Sequence, residues 1–148
     1  LMIYLPKYRL LFASDVAFIY VAPFAHNAHV GKWLETVDRI MKMDVDTIVP
    51  GHGPICGKKE LAEMGEYFRA LQREVKSRFD KGLSPGRAAA DIKLGKFDNW
   101  IGPERIVMNT VRVYNEFRGV GGPDYDIPAT QKATEEYNAI LASRGIKG

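Results

Sequence analysis

The chain has 148 residues, of which 46% are hydrophobic and 26% are charged, so it is long and apolar enough to bury a core. Its formal charge of +3 is compatible with an anionic partner but identifies none. A single cysteine, Cys56, excludes an internal disulfide framework, and we therefore expect a reducing, cytoplasmic environment. Apolar runs stay short of the ~20 residues that a membrane helix needs, so we expect no membrane partner.

The first part of the chain predicts an antiparallel hairpin. Residues 1–5 and 10–13 are short apolar runs, and the polar residues 6–9 between them begin with a proline. Two such runs joined by about four turn residues are typical of a hairpin. Asp15 then falls at the end of the second strand. Residues 16–30 are apolar but irregular, and we expect a loop that lines a pocket or an interface.

An amphipathic helix and a buried strand follow this loop, so the order of elements indicates an α/β layer. Residues 31–43 place apolar side chains three and four positions apart, at Trp33, Leu34, Val37, Ile40 and Met41. Residues 47–49 are a β-branched run that ends at Pro50, which is typical of a short buried strand. His52 follows between two glycines, where a rigid strand can present a metal ligand or a catalytic group. On these residues alone, a tight turn with an incidental histidine is an equal alternative.

The second part of the chain is predicted to be helical. Helices are expected at residues 58–81, closed by Gly82; at 85–91, after a Ser84 N-cap; from Pro103 to Gly119; and at 129–144, after a break at Gly121-Gly122-Pro123. In the helix from Pro103 to Gly119, the residues expected to face inward are Ile106, Val107, Thr110, Val113, Tyr114 and Phe117. The last helix has a thin apolar stripe, so we expect it to pack peripherally or on a partner.

Several of these segments together resemble the second half of the metallo-β-lactamase superfamily, which includes glyoxalase-II-like hydrolases. The resemblance rests on Tyr4-Leu5-Pro6, on Leu10-Leu11-Phe12-Ala13-Ser14-Asp15, on the helix with Trp33, and on Thr47-Ile48-Val49-Pro50-Gly51-His52-Gly53-Pro54. It implies an α/β fold equivalent to the C-terminal half of an αβ/βα sandwich, followed by a helical tail. Residues 1–57 would be the half-sandwich, and residues 58–148 a helical extension of the same domain.

The resemblance also implies a metal site. In the family, the aspartate bridges two metal ions, usually zinc, and the late histidine binds the second ion, so Asp15 and His52 would be metal ligands. Carboxylate oxygen and neutral imidazole nitrogen both suit zinc. Two metal ions lower the pKa of a shared water, which then attacks an ester, thioester or amide carbonyl. Ser14 departs from the family pattern, because glycine usually precedes the aspartate.

A larger departure concerns the remaining ligands. The family's main metal motif, His-x-His-x-Asp-His, is absent, and the three histidines of the chain are His26, His29 and His52. Two ligands seldom hold zinc tightly, since catalytic sites use three plus water. We therefore predict that the chain alone is inactive as a dinuclear hydrolase, with no catalytic residue and no other cofactor assigned. His26 and His29 follow the aspartate on a loop, and a metal or substrate role for them is the less favoured alternative to exposed loop histidines.

Three interpretations remain open at this point. The chain is part of a full metallohydrolase whose N-terminal half is missing, which the apolar opening at Leu1 favours; or it is a half-domain that forms a homodimer as a binding or structural protein; or the resemblance is accidental. Cys56 is expected to serve packing rather than nucleophilic catalysis. The polar face of the long helix mixes both charge signs, so we expect no nucleic-acid partner.

Overall fold

The computed structural model of the chain describes residues 1–120 and 126–146. Within these ranges the elements are β1 (Ile3–Leu5), β2 (Leu10–Phe18), α1 (Val30–Lys42), β3 (Thr47–His52), α2 (Lys58–Asp80), α3 (Pro85–Asp91), α4 (Ile106–Phe117) and α5 (Ile127–Ser143). This mixed α/β architecture with a helical tail confirms the predicted fold class. The break expected at Gly121-Gly122-Pro123 lies outside the described residues.

The strands form one sheet in the order β1-β2-β3. β1 and β2 are the predicted antiparallel hairpin, and β3 lies parallel to β2 on its other side. Both β2, the central strand, and β3 are longer than predicted. β2 continues past Asp15 to Phe18, and β3 continues through Pro50 to His52, because the parallel pairing resumes after an irregular stretch around Ser14.

The two faces of the sheet have different surroundings. Leu11 and Ile48 point to one face and are completely buried in the main core, together with apolar side chains of α1 and α2. Ile3 and Phe12 are paired across β1 and β2 and so share the opposite face, where they are 51% and 41% exposed. One face of the sheet is therefore covered by helices, while the other presents apolar side chains to the surface.

The first two helices follow the predicted apolar patterns. α1 begins one residue earlier than expected, at Val30, and buries Val37 and Ile40 against the sheet. α2 buries one stripe that includes Leu61, Met64, Phe68, Leu71 and Val75. It ends before Gly82, whose φ of +72° is the left-handed conformation that glycine adopts without steric cost.

The helical tail packs against the same core. α4 begins at Ile106 rather than at Pro103, because residues 103–105 form a 3-10 turn. Val113 and Tyr114 of α4 belong to the cluster that also contains the sheet residues. α5 is peripheral, as its thin stripe predicts: in its described length only Thr130 and Ala133 are buried. None of the described helices is long and apolar enough to cross a membrane.

Candidate functional site

Asp15 and His52 come together at the same edge of the sheet. β2 and β3 are parallel, so their C-terminal ends meet there, which is the usual location of ligand sites in parallel sheets. The His52 Nε2 atom lies 3.4 Å from the Asp15 Oδ1 atom. Both residues were predicted at strand ends; His52 does end β3, whereas Asp15 lies three residues before the end of β2, and the structure brings the carboxylate and the imidazole side by side.

The backbone beside this pair is closely packed. Gly51 lies against the Asp15 carboxylate and the Ser14 backbone, and a Cβ atom at Gly51 would overlap both. Gly53 has a φ of +92°, and a Cβ atom there would overlap the carbonyl oxygen of Ile19. The glycines on either side of His52 are therefore required by the approach of β3 to β2.

Ser14 has a left-handed backbone conformation, with a φ of +50°. It lies between the regular part of β2 and the irregular stretch that carries Asp15. Left-handed backbone is costly for residues other than glycine. This position therefore favours glycine for a physical reason, and the serine hydroxyl has no hydrogen-bond partner among the described residues to offset the cost.

A cavity of about 660 Å³ opens beside the pair. Its lining combines aromatic and apolar side chains with polar and titratable ones; the lining residues are Asp15, Val16, Phe18, Phe24, His26, Asn27, Ala28, His29, Lys32, Trp33, Thr36 and His52. Phe18 is central to it: the ring stacks on His52 with centroids 4.3 Å apart and meets Trp33 edge-on at 5.9 Å. Residues 16–30 were predicted to be a loop lining a pocket or an interface; residues 16, 18, 24 and 26–29 do line this cavity, although 16–18 belong to β2 and Val30 begins α1.

His26 and His29 also line this cavity, although the sequence did not favour a metal or substrate role for them. His29 has a second, structural role, because its Nδ1 atom accepts a hydrogen bond from the Lys32 amide and so caps α1. Among the described residues, however, no three His, Cys, Asp or Glu side chains are grouped so that they could hold a metal ion. The loop histidines share the cavity with Asp15 and His52 without completing a metal site.

Cys56 is buried beside the first half of β3, where its backbone pairs with Ile48. Burial, followed by the charge of Glu60, raises the pKa of the thiol to about 11. The thiol therefore stays protonated at neutral pH, when only the thiolate is an effective nucleophile. This supports packing as the role of Cys56.

Sequence analysis missed a set of polar residues in the helical tail. Arg105, Asn109, Arg112 and Glu116 recur at spacings of four, three and four, so they lie on one side of α4 and of the turn before it. Asn109 and Arg112 are buried. The spacing was readable in the sequence, but a polar stripe on a helix is ordinarily assigned to solvent.

No protein-family model matches the chain, and no curated protein matches its sequence. Among solved structures, it is similar to the stereoselective inverting sec-alkylsulfatase Pisa1 from a Pseudomonas species, with a TM-score of 0.63 and 18% identity over 97% of this chain. A double mutant of that sulfatase aligns with a TM-score of 0.59 and 17% identity over 97% of this chain. In both comparisons the chain spans 28% of the sulfatase's length. The chain therefore has the fold of part of this sulfatase, consistent with the predicted metallo-β-lactamase-like α/β architecture.

Proposed function

We propose that this chain is the C-terminal part of a metal-dependent hydrolase of the metallo-β-lactamase superfamily, and that Asp15 and His52 are two of its metal ligands. The observation that carries the proposal is the convergence of these two side chains, 3.4 Å apart, at the mouth of a large cavity. The fold shared with an alkylsulfatase supports a hydrolase. The substrate would be an ester, thioester or amide, the classes that the superfamily hydrolyses.

The two side chains are suitable zinc ligands, but two ligands are too few for a zinc site. A carboxylate and an imidazole are common zinc ligands, and both are accessible from the cavity, with 76% and 43% of their side-chain surface exposed. A catalytic zinc site needs at least three protein ligands, and the described residues provide no group of three. The remaining ligands would therefore come from outside these residues. When bound, a zinc pair polarises the scissile group and lowers the pKa of a water molecule.

The chain's own residues would prepare this site in two ways. Stacking on Phe18 fixes the plane of the His52 ring, and contact with Asp15 fixes the direction of its Nε2 atom. The aromatic lining formed by Phe18, Phe24 and Trp33 excludes water from the side of the cavity that faces the core. Alone, the chain would bind zinc weakly and would not hydrolyse esters.

The exposed sheet face supports the need for a partner. Ile3 and Phe12 form part of an apolar surface that isolated soluble domains seldom leave uncovered. In this proposal the face packs against the rest of the hydrolase, in the same or a separate chain. The alternative is that a second copy covers the face and that the dimer is a non-catalytic binding or structural protein. A cytoplasmic location fits the single cysteine, Cys56.

The test is a zinc titration of the 148-residue chain, followed by NMR of the three imidazoles and by native mass spectrometry. We expect weak zinc binding that shifts the His52 resonances first. Asp15→Asn and His52→Gln should each weaken this binding at least tenfold, and the matched His29→Gln variant should leave it unchanged. Equal zinc affinity in the Asp15→Asn and His52→Gln variants would refute the ligand assignment. Tight binding of two zinc ions with ester hydrolysis would refute the prediction that the chain is inactive alone. A metal-free dimer that does not respond to zinc would favour the non-catalytic alternative.

A further inference from the structure

We propose that three side chains of the helical tail, Arg105, Asn109 and Glu116, are positioning residues for the candidate site. They hold the histidine loop, defined as residues 19–29 between β2 and α1, although none of the three lines the cavity. The loop contributes Phe24, His26 and His29 to the cavity, so its conformation determines the shape of that wall. The inference rests on the proposed function only in treating this cavity as the functional site.

The first contact is made by Arg105, immediately before α4. Its guanidinium donates a hydrogen bond to the carbonyl oxygen of Ala22, at 2.6 Å. The same group lies over the ring of Phe24, 3.6 Å from the centroid, which is within the range of a cation–π contact. Arg105 thus fixes both the backbone and an aromatic side chain of the histidine loop.

Asn109 makes the second contact, one helical turn further along. Its Oδ1 atom accepts a hydrogen bond from the Ala25 amide at 3.0 Å, and its Nδ2 group donates to the Pro23 carbonyl oxygen at 2.9 Å. The Nδ2 group also donates to the hydroxyl of Tyr67 at 3.0 Å, which links the loop to α2. Asn109 is completely buried, so its removal would leave the Ala25 amide without an acceptor in an apolar environment.

Glu116 makes the third contact, at the other end of the loop. Its Oε1 atom accepts a hydrogen bond from the amide of Val30, the first residue of α1, at 2.7 Å, and lies 3.4 Å from Arg112 Nε. Its Oε2 atom lies 3.5 Å from His29 Nδ1. The Glu116 side chain is only 7% exposed, so a charged group buried beside the N-terminus of α1 fixes the start of that helix, next to the His29 imidazole.

These contacts restrict the conformation of the histidine loop. Bonds from the tail hold backbone atoms of residues 22, 23, 25 and 30, which bracket His26 and His29 in the sequence. Backbone pairing with other segments is confined to residues 19–22 of the loop, which bond to His52 and Ile101, so residues 23–29 rely mainly on the bonds from the tail. The tail is therefore part of the site's construction, and the positions of the loop histidines depend on side chains that do not touch the cavity.

The test compares Glu116→Ala with the conservative Glu116→Gln variant, by amide exchange and histidine NMR on the metal-free chain. Loss of the acceptor in Glu116→Ala should raise exchange at Val30 by about 10- to 100-fold and shift the His29 imidazole resonances. Glu116→Gln retains an oxygen acceptor and should restore most of that protection. The buried amide of Ile48 reports global opening, and its exchange should change much less than that of Val30.

Two further variants keep the proposal testable if Glu116→Ala does not fold. Arg105→Met should shift Phe24 and His26 resonances with little change in melting temperature, since Arg105 is only partly buried and the two rings are 5.9 Å apart. Glu136→Ala removes a tail contact to Ser84 that is remote from the loop, and should leave those resonances unchanged. If loop amides and imidazoles respond only in proportion to Ile48, the tail acts through overall stability and the proposal is refuted. Because no metal is used, this outcome is independent of the zinc titration.

Discussion

Replacing Ser14 with glycine should stabilise the chain, because it removes strain from the residue that precedes Asp15. Ser14 has a φ of +50°, and a residue with a Cβ atom is about 1–2 kcal/mol less favourable there than in ordinary backbone. The gain is partly offset, since glycine loses about 0.5–1 kcal/mol more conformational entropy on folding. The serine is exposed and its hydroxyl has no partner among the described residues, so no further loss is expected.

The net effect is a gain of about 0.5–1 kcal/mol in the free energy of unfolding. For a chain of this size, that corresponds to a rise in melting temperature of about 1–4 °C. Urea denaturation followed by circular dichroism measures the free energy, and a calorimetric scan measures the temperature. The slope of the urea transition should not change, because the exposed area of the unfolded chain is almost the same.

Ser14→Ala is the matched control, since it removes the hydroxyl but keeps the Cβ atom. It should change stability by less than about 0.5 kcal/mol. If Ser14→Gly is no more stable than wild type, backbone strain at this position is not the relevant effect. If alanine stabilises as much as glycine, the hydroxyl is responsible and the argument from φ is refuted.

Other predictions concern the glycines beside His52 and the buried titratable groups. Gly53→Ala should lower the free energy of unfolding by several kcal/mol more than Gly82→Ala, as measured by urea denaturation. Both glycines have positive φ, but only Gly53 lies against the Ile19 carbonyl. Equal losses of stability would contradict the close packing of β2 and β3. Burial raises the pKa of Tyr67 from 10.0 to about 12, so the folded chain binds this proton more tightly than the unfolded chain. The free energy of unfolding should therefore be unaffected below pH 10.0 and fall by about 2–3 kcal/mol as the pH rises to about 12. Tyr67→Phe should lose that part of the alkaline dependence, and an unchanged profile would refute its assignment to Tyr67. Burial raises the pKa of Cys56 from 9.0 to about 11, so Cys56→Ala should remove a further fall in stability that begins at lower pH, and stability titrations of the two variants should separate these ranges.

Elements set by local chemistry were predictable from the sequence. The hairpin, α1 and α2 follow from apolar spacing and turn residues, and the two helices have nearly the predicted bounds. The same patterns place Asp15 and His52 at or near the ends of two strands, but their approach depends on the parallel pairing of β2 and β3, which the sequence did not predict. The role of the two residues as metal ligands stays a prediction, as does the division of the chain at residue 57.

Features that depend on contacts distant in the sequence were not predictable. The extension of β2 to Phe18 depends on pairing with β3, and no local signal marks it. The burial of Asn109 and Glu116 depends on the histidine loop, more than 80 residues earlier, supplying polar backbone groups that match them. A stripe of polar side chains on a helix is buried only where another segment supplies polar groups that hydrogen-bond to it. The sequence of α4 alone does not show whether such a segment exists.

The arrangement of Asp15 and His52 bears on why the isolated chain should be inactive. Packing of protein groups alone holds the pair 3.4 Å apart: Gly51 admits β3 close to Asp15, and Phe18 supports the His52 ring. If the two side chains are ligands, little reorganisation is then needed when a metal binds, and weak affinity would reflect the number of ligands rather than their placement. Supplying a third ligand should therefore raise zinc affinity far more than a change that only stabilises the fold. Thr36→His would supply such a ligand from the cavity wall. If this variant bound zinc no more tightly than Ser14→Gly, the number of ligands would not be what limits zinc affinity.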